Sequence, residues 1–200
     1  SVKAAAKDAI DRGANGYTVT QGIPELRAKL ADDLRRRYGH TDREVFVTSG
    51  TSGGIVLALL CTVNPGDEVI IFDPYFVMYP HLIALVGGVP KYVSTYPDFR
   101  LDLDKVRAAL TPRTKAILVN SPANPTGTLH ARDSLRDLAR LAQRHGVLLL
   151  SDEVYRVFCY DSPFCSPAEF NEQVLVVDGF SKAYGMTGWR LGFAHGPRRL

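Results

Sequence analysis

Charge of one sign is concentrated nowhere in this chain. Its 200 residues carry 24 Lys and Arg against 21 Asp and Glu, a formal net charge of +3 at pH 7. The only basic clusters are Arg35-Arg36-Arg37 and Arg198-Arg199. Such scattered charge reads as solvated helix ends and argues against a nucleic-acid partner. Cysteine is scarce too. Cys61, Cys159 and Cys165 form neither a disulfide framework nor a metal-ligand spacing. An odd, sparse count suits a reducing, cytoplasmic compartment. The five histidines, His40, His81, His130, His145 and His195, are dispersed, so no metal site is expected. The longest apolar run, Ile55 to Cys61, falls far short of the ~20 residues that span a bilayer, and no membrane association is expected. No signal peptide, internal repeat, low-complexity segment or internal linker is visible. The first residues read like the middle of a helix and the chain stops abruptly at Gly196-Pro197-Arg198-Arg199-Leu200. A piece of a longer protein is expected.

What the chain has is alternation. Pro24 to Tyr38 carries Leu26, Leu30 and Leu34 at a spacing of four, with proline in the first turn and Gly39 just past the end. That predicts an amphipathic helix. Strands are predicted at Val45–Thr48, Glu68–Phe72, Lys91–Ser94, Lys115–Val119, Val147–Leu150, Val174–Val177 and Leu191–Ala194. Further helices are predicted at Ile55–Thr62, Phe76–Val86, Asp102–Leu110 and Arg132–His145. The strands lack a polar face. Buried on both sides, they imply a mainly parallel α/β sheet covered by helices.

Ligands of an open α/β sheet bind beyond the carboxyl ends of its strands. Each segment with chemistry to offer falls there. Ser49 to Gly54 follows the first strand, and Asp73-Pro74-Tyr75-Phe76 the second. Asn120 to Gly127 follows the fourth, Ser151 to Tyr155 the fifth and Gly179 to Lys182 the sixth. Lys182 lies among small and apolar residues. That setting predicts a lowered pKa and an amine free to attack an aldehyde. Asp152 ends an apolar strand, so a buried carboxylate in need of a partner is expected; a helix N-cap is the plainer alternative. At Gly50, Thr51 and Ser52, glycine lets the backbone approach an anion and a starting helix offers free N–H groups. A simple capped turn explains the same residues. The loop lacks the Gly-Lys-Ser/Thr ending of a nucleotide-binding P-loop.

Three segments carry a family resemblance: Asn124-Pro125-Thr126-Gly127, Ser151-Asp152-Glu153-Val154-Tyr155, and Ser181-Lys182-Ala183-Tyr184-Gly185-Met186-Thr187-Gly188-Trp189-Arg190. They resemble the signature segments of the class I/II aminotransferases, pyridoxal 5'-phosphate (PLP) enzymes of the aspartate aminotransferase superfamily. The likeness is strongest to the bacterial aspartate/aromatic/prephenate branch. It covers nearly the whole chain in the family's order and spacing. It implies a three-layer α/β/α sandwich around a mixed, mostly parallel seven-stranded sheet. Residues 1–200 would be the large cofactor-binding domain, without the family's N-terminal arm and C-terminal small domain.

The resemblance also implies roles. Lys182 would form the imine with the cofactor aldehyde and then shuttle a proton. Asp152 would hold the protonated pyridine nitrogen. Tyr155 and Asn124 would bond the phenolic oxygen and lower the imine's pKa; an ordinary core tyrosine and an Asx turn before Pro125 explain these two residues as well. Gly50, Thr51, Ser52 and Arg190 would hold the phosphate, with Ser181 adding a contact. Phe76 would stack on the ring, or simply pack in the core. Tyr17 would reach the phosphate of a partner subunit in a homodimer. One departure stands out: many relatives carry a phosphate-binding serine where this chain has Gly179, which reads as one lost hydroxyl contact.

The implied reaction is transfer of an α-amino group from an amino acid to a 2-oxo acid through a pyridoxamine phosphate form. Two rivals share the motifs. One is a PLP lyase or synthase of the same fold, such as a C–S β-lyase or an aminocyclopropane-carboxylate-synthase-like enzyme. The other is the aminotransferase-like sensor domain of a transcription regulator, although no helix-turn-helix is visible.

Overall fold

The structure is a computed structural model that describes residues 1–200. Helices α1 (Val2–Asp11) and α2 (Pro24–Tyr38) precede strand β1 (Arg43–Thr48). Then come α3 (Gly50–Thr62), β2 (Glu68–Asp73), α4 (Met78–Leu85), β3 (Val89–Ser94), α5 (Leu103–Ala109) and β4 (Thr114–Asn120). The chain closes with α6 (Arg132–His145), β5 (Leu148–Asp152), β6 (Leu175–Gly179) and β7 (Gly192–Pro197).

The seven strands form one sheet in the order β1-β7-β6-β5-β4-β2-β3. Its pairs are parallel from β6 through β3, whereas β7 runs antiparallel to both β6 and β1. The expected mixed, mostly parallel α/β sheet is the one observed. Alternation along each strand divides the core between two faces. Ile70, Ile117, Val119, Leu149 and Val176 pack toward α5 and α6. Val69, Ile71, Leu118, Leu150 and Val177 pack toward α3 and α4. Strands buried on both faces need no polar alternation, which is why their sequences show none.

Two local expectations are corrected. Helix α3 begins at Gly50, not Ile55, because Gly50 adopts a φ of +70° that only glycine tolerates well and turns the chain directly into the helix. The glycine-rich segment is therefore the first helical turn. Helix α4 begins at Met78, so Phe76 stands in the turn before it. Tyr155 lies in a tight turn: the Arg156 N–H donates to the Glu153 carbonyl at 2.9 Å, and the Phe158 N–H to the Tyr155 carbonyl at 2.9 Å. No helix is long and apolar enough to cross a membrane, and no group of three or more His, Cys, Asp or Glu side chains is placed to hold a metal ion.

Candidate active site

A cavity of about 250 Å³ opens beyond the carboxyl ends of the strands. Thr51, Ser52, Phe76, Asn124, Asp152, Tyr155, Ser181, Lys182 and Arg190 all line it. Five separate segments, singled out from the sequence one by one, thus converge on one hollow.

Asp152 is the deepest of these groups, 4 % exposed at the last position of β5. Burial pushes its carboxyl pKa up to about 6, against hydrogen bonds from Tyr79 and the Val154 N–H that favour the anion. The Tyr79 hydroxyl donates to Oδ2 at 2.8 Å and the Val154 N–H to Oδ1 at 3.2 Å. The charge of Lys182 also draws the pKa down. The carboxylate is wedged against its scaffold on one side and open to the cavity on the other.

Tyr79 was not singled out from the sequence. It is 3 % exposed, and burial together with the Asp152 charge pushes its pKa well up, so it acts as a donor. Its ring meets Phe76 edge-on, with centroids 5.5 Å apart. The spacing of three between Phe76 and Tyr79 was the available signal, because it places both on one side of a helical turn. Asn120 was missed as well. It is the only polar side chain late in a strand of Ala, Ile, Leu and Val, and its position explains it. Its Nδ2 donates to the Asp152 carbonyl at 2.9 Å and its Oδ1 accepts the Asn124 N–H at 2.7 Å. It latches β4 to β5 and holds the Asn124 loop. Asn124 Nδ2 then reaches the Tyr155 hydroxyl at 3.4 Å, so an amide and a phenol share one wall.

The part of the lining formed by Thr51, Ser52 and Arg190 suits an anion. The first N–H groups of an α-helix have no partner within the helix, and they end a positive dipole. Here they belong to Gly50, Thr51 and Ser52. Thr48 Oγ1 donates to the Gly50 carbonyl at 2.8 Å and fixes the turn. The Arg190 guanidinium lies where a Cβ on Gly50 would be. It also donates to the Thr187 carbonyl at 2.9 Å. Strand β7 supports the turn from below: a Cβ on Gly192 would stand 2.6 Å from the Gly50 carbonyl carbon and 2.9 Å from the Thr51 nitrogen. Gly179 also sits close to β7: a Cβ there would stand 3.3 Å from both Gly192 Cα and the Leu191 carbonyl oxygen, so a side chain would crowd that strand.

One placement differs from expectation. Lys182 is exposed at the cavity rim rather than enclosed by apolar groups. Its apolar neighbours pack elsewhere: Phe180 meets Tyr184 at 5.6 Å and Phe193 at 5.8 Å. The amine stands 5.7 Å from the centre of the Tyr155 ring. Arg190 is also exposed, in a left-handed conformation with φ of +51°. Tyr17 is fully exposed and lies outside the cavity.

The family model for aminotransferase class I and II matches residues 1–200. The chain belongs to that family. Among curated aminotransferases it is 44 % identical over 204 residues to the aspartate/prephenate aminotransferase of Thermus thermophilus, covering all of this chain and 53 % of the relative. It is 43 % identical over 210 residues to the aspartate/prephenate aminotransferase of Cereibacter sphaeroides, covering all of this chain and 52 % of that one. The solved structure of the Thermus thermophilus aspartate aminotransferase with maleate superposes with a TM-score of 0.95 at 42 % identity, over 99 % of this chain and 53 % of the other. The N-succinyldiaminopimelate aminotransferase of Mycobacterium tuberculosis gives 0.91 at 35 % identity, over 96 % and 53 %. The chain therefore spans about half the length of these aminotransferases.

Proposed function

We propose that this chain supplies the cofactor-binding domain of a PLP-dependent aminotransferase, moving an α-amino group from an amino acid to a 2-oxo acid. The observation that carries the reading is the set of groups gathered around one cavity. Thr51, Ser52 and Arg190 of an anion cradle, the Asp152 carboxylate, Lys182, and the paired Tyr155 and Asn124 all line it. That donor set fits a molecule with a phosphate, a phenolic oxygen, an aldehyde and a basic ring nitrogen.

Bound there, PLP supplies an aldehyde for amine exchange and a cationic ring that takes up the electrons left when the substrate's α-carbon loses its proton. The chain's own residues do the rest. Arg190 and the α3 N–H groups bind the phosphate and fix its register. Asp152 holds negative charge against the ring nitrogen, and Tyr79 keeps that carboxylate ionised and oriented. Tyr155 and Asn124 donate hydrogen bonds to the phenolic oxygen. Phe76 covers the ring and excludes water. Lys182 Nζ is the amine that would take the aldehyde with loss of water, and once freed it would carry the proton. Ser181 adds a hydroxyl beside the cradle.

In the same reading the working enzyme is a cytoplasmic homodimer, and the exposed Tyr17 reaches the phosphate of the partner subunit. Aspartate is the first donor to try, because relatives named for aspartate share over 40 % of this sequence. The test is nitrogen transfer. The protein is incubated with PLP, ¹⁵N-aspartate and 2-oxoglutarate. The proposal predicts ¹⁵N-glutamate and oxaloacetate in equal amounts. Release of a keto acid and ammonia with no labelled glutamate would favour a lyase instead.

A further inference from the structure

We propose that the ion pair between Arg156 and Asp178 is a brace that sets the spacing of Tyr155 against Lys182. This rests on the PLP reading of the cavity, and neither residue lines that cavity. Both are positioning residues.

The two segments that carry the chemistry leave neighbouring strands at the same level. Strands β5 and β6 pair in parallel from Leu150 with Leu175 to Asp152 with Val177, and the ladder ends there. Tyr155 and Lys182 lie beyond it, on loops that the sheet no longer registers. Two ties continue past the last pair. The Glu153 N–H donates to the Val177 carbonyl at 2.9 Å. Arg156 Nε donates to Asp178 Oδ2 at 2.5 Å, with the two side chains 23 % and 5 % exposed. Asp178 Oδ1 also accepts the Gly179 N–H at 2.6 Å. One carboxylate thus grips the residue after Tyr155 and the backbone three residues before Lys182. A charge-assisted bond is stronger and more directional than a neutral one, as a spacer requires. Tyr155 is flanked by both ties, at Glu153 and at Arg156.

Charge accounts for the choice of arginine. The buried carboxyls of Asp178 and Glu153 are close enough that Asp178 raises the pKa of Glu153. The Arg156 charge interacts with both. Removing Arg156 leaves two buried acids opposed, whereas removing Asp178 as well relieves them. The pair therefore predicts non-additive variants.

The test compares Arg156→Gln, Asp178→Asn, the double variant and Arg156→Lys with the parent protein. With PLP bound, each single variant is expected to weaken cofactor binding about tenfold, equivalent to about 1.4 kcal/mol, and to shift the pH midpoint of the visible band. The double variant is expected to be no worse than Arg156→Gln alone, and Arg156→Lys to recover part of the loss. In the cofactor-free protein, hydrogen exchange should quicken together at residues 155–158 and 181–185, while the β4 amides stay unchanged. Unchanged affinity and midpoint in both single variants, or strictly additive losses, would overturn the brace. So would equal acceleration throughout β4, which marks a merely structural pair. If the parent protein takes up no PLP, the functional reading fails, and the exchange pattern alone still decides the brace: paired acceleration supports it and silence overturns it.

Discussion

Asp152 and Glu153 are adjacent in sequence, almost equally buried, and turned by strand geometry to opposite faces of the sheet. Burial lifts both acids, Asp152 to about 6 and Glu153 to about 7. Their surroundings separate them. Glu153 is closed in by scaffold hydroxyls: Ser166 Oγ donates to Oε1 at 2.5 Å, and Tyr38 Oη to Oε2 at 3.3 Å. Asp152 has scaffold donors behind it, and its open side faces the cavity and Lys182. Similar burial therefore serves two ends. One acid borders the cavity, and the other joins β5 to α2 and to the 3-10 turn Pro167–Glu169.

That contrast can be broken most sharply by neutralising each acid in turn. Asp152→Asn is expected to lower the amino-transfer rate by roughly 10²–10³, the usual cost of removing one preorganised electrostatic partner. Glu153→Gln should change it less than about tenfold. Steady-state rates at saturating cofactor decide between them, and equal losses would erase the distinction.

The second contrast is in stability. The folded pKa of Glu153 lies above its ordinary value of 4.5, so the folded state holds this proton more tightly than the unfolded state. The contribution is complete below about pH 4.5 and is lost as pH rises through about 7. Roughly 3 kcal/mol of pH-dependent stability should vanish in Glu153→Gln between those limits. Asp152 acts with the same sign and remains in both proteins. Urea unfolding of the cofactor-free chain at pH 4.5 and pH 8 measures the difference, and parallel curves for variant and parent would refute it.

The smallest effect sharpens the Asp152 side. Tyr79→Phe removes the donor to Oδ2 and should weaken PLP binding by roughly 1.5–3 kcal/mol at most, the range for a hydrogen bond to a charged group. Equilibrium dialysis would report that change, and unaltered affinity would remove Tyr79 from the account.

How much of this was legible in the sequence follows from the kind of signal each residue carries. The sheet could be read because apolar strands alternate with helical periods, and strand ends fix where a ligand can sit. Asp152 was half legible, because a carboxylate ending an apolar strand asks for a partner while a helix N-cap explains it equally well, and the family resemblance decided between them. Tyr79 and Asn120 could not, because their value lies in partners distant in the chain. An aromatic residue near a helix start looks like core until Asp152 is seen beneath it. Lys182 was half legible. Its neighbours are apolar, as the sequence says, but composition does not tell which way they pack, and Phe180 and Phe193 pair away from the amine. Gly50 misled in the other direction, since glycine reads as loop when it is here the entry to α3.

The most direct test is chemical. The protein is mixed with PLP, treated with borohydride, digested and mapped by mass spectrometry. The account predicts one pyridoxyl group, on Lys182. Modification spread over surface lysines with Lys182 untouched would contradict it.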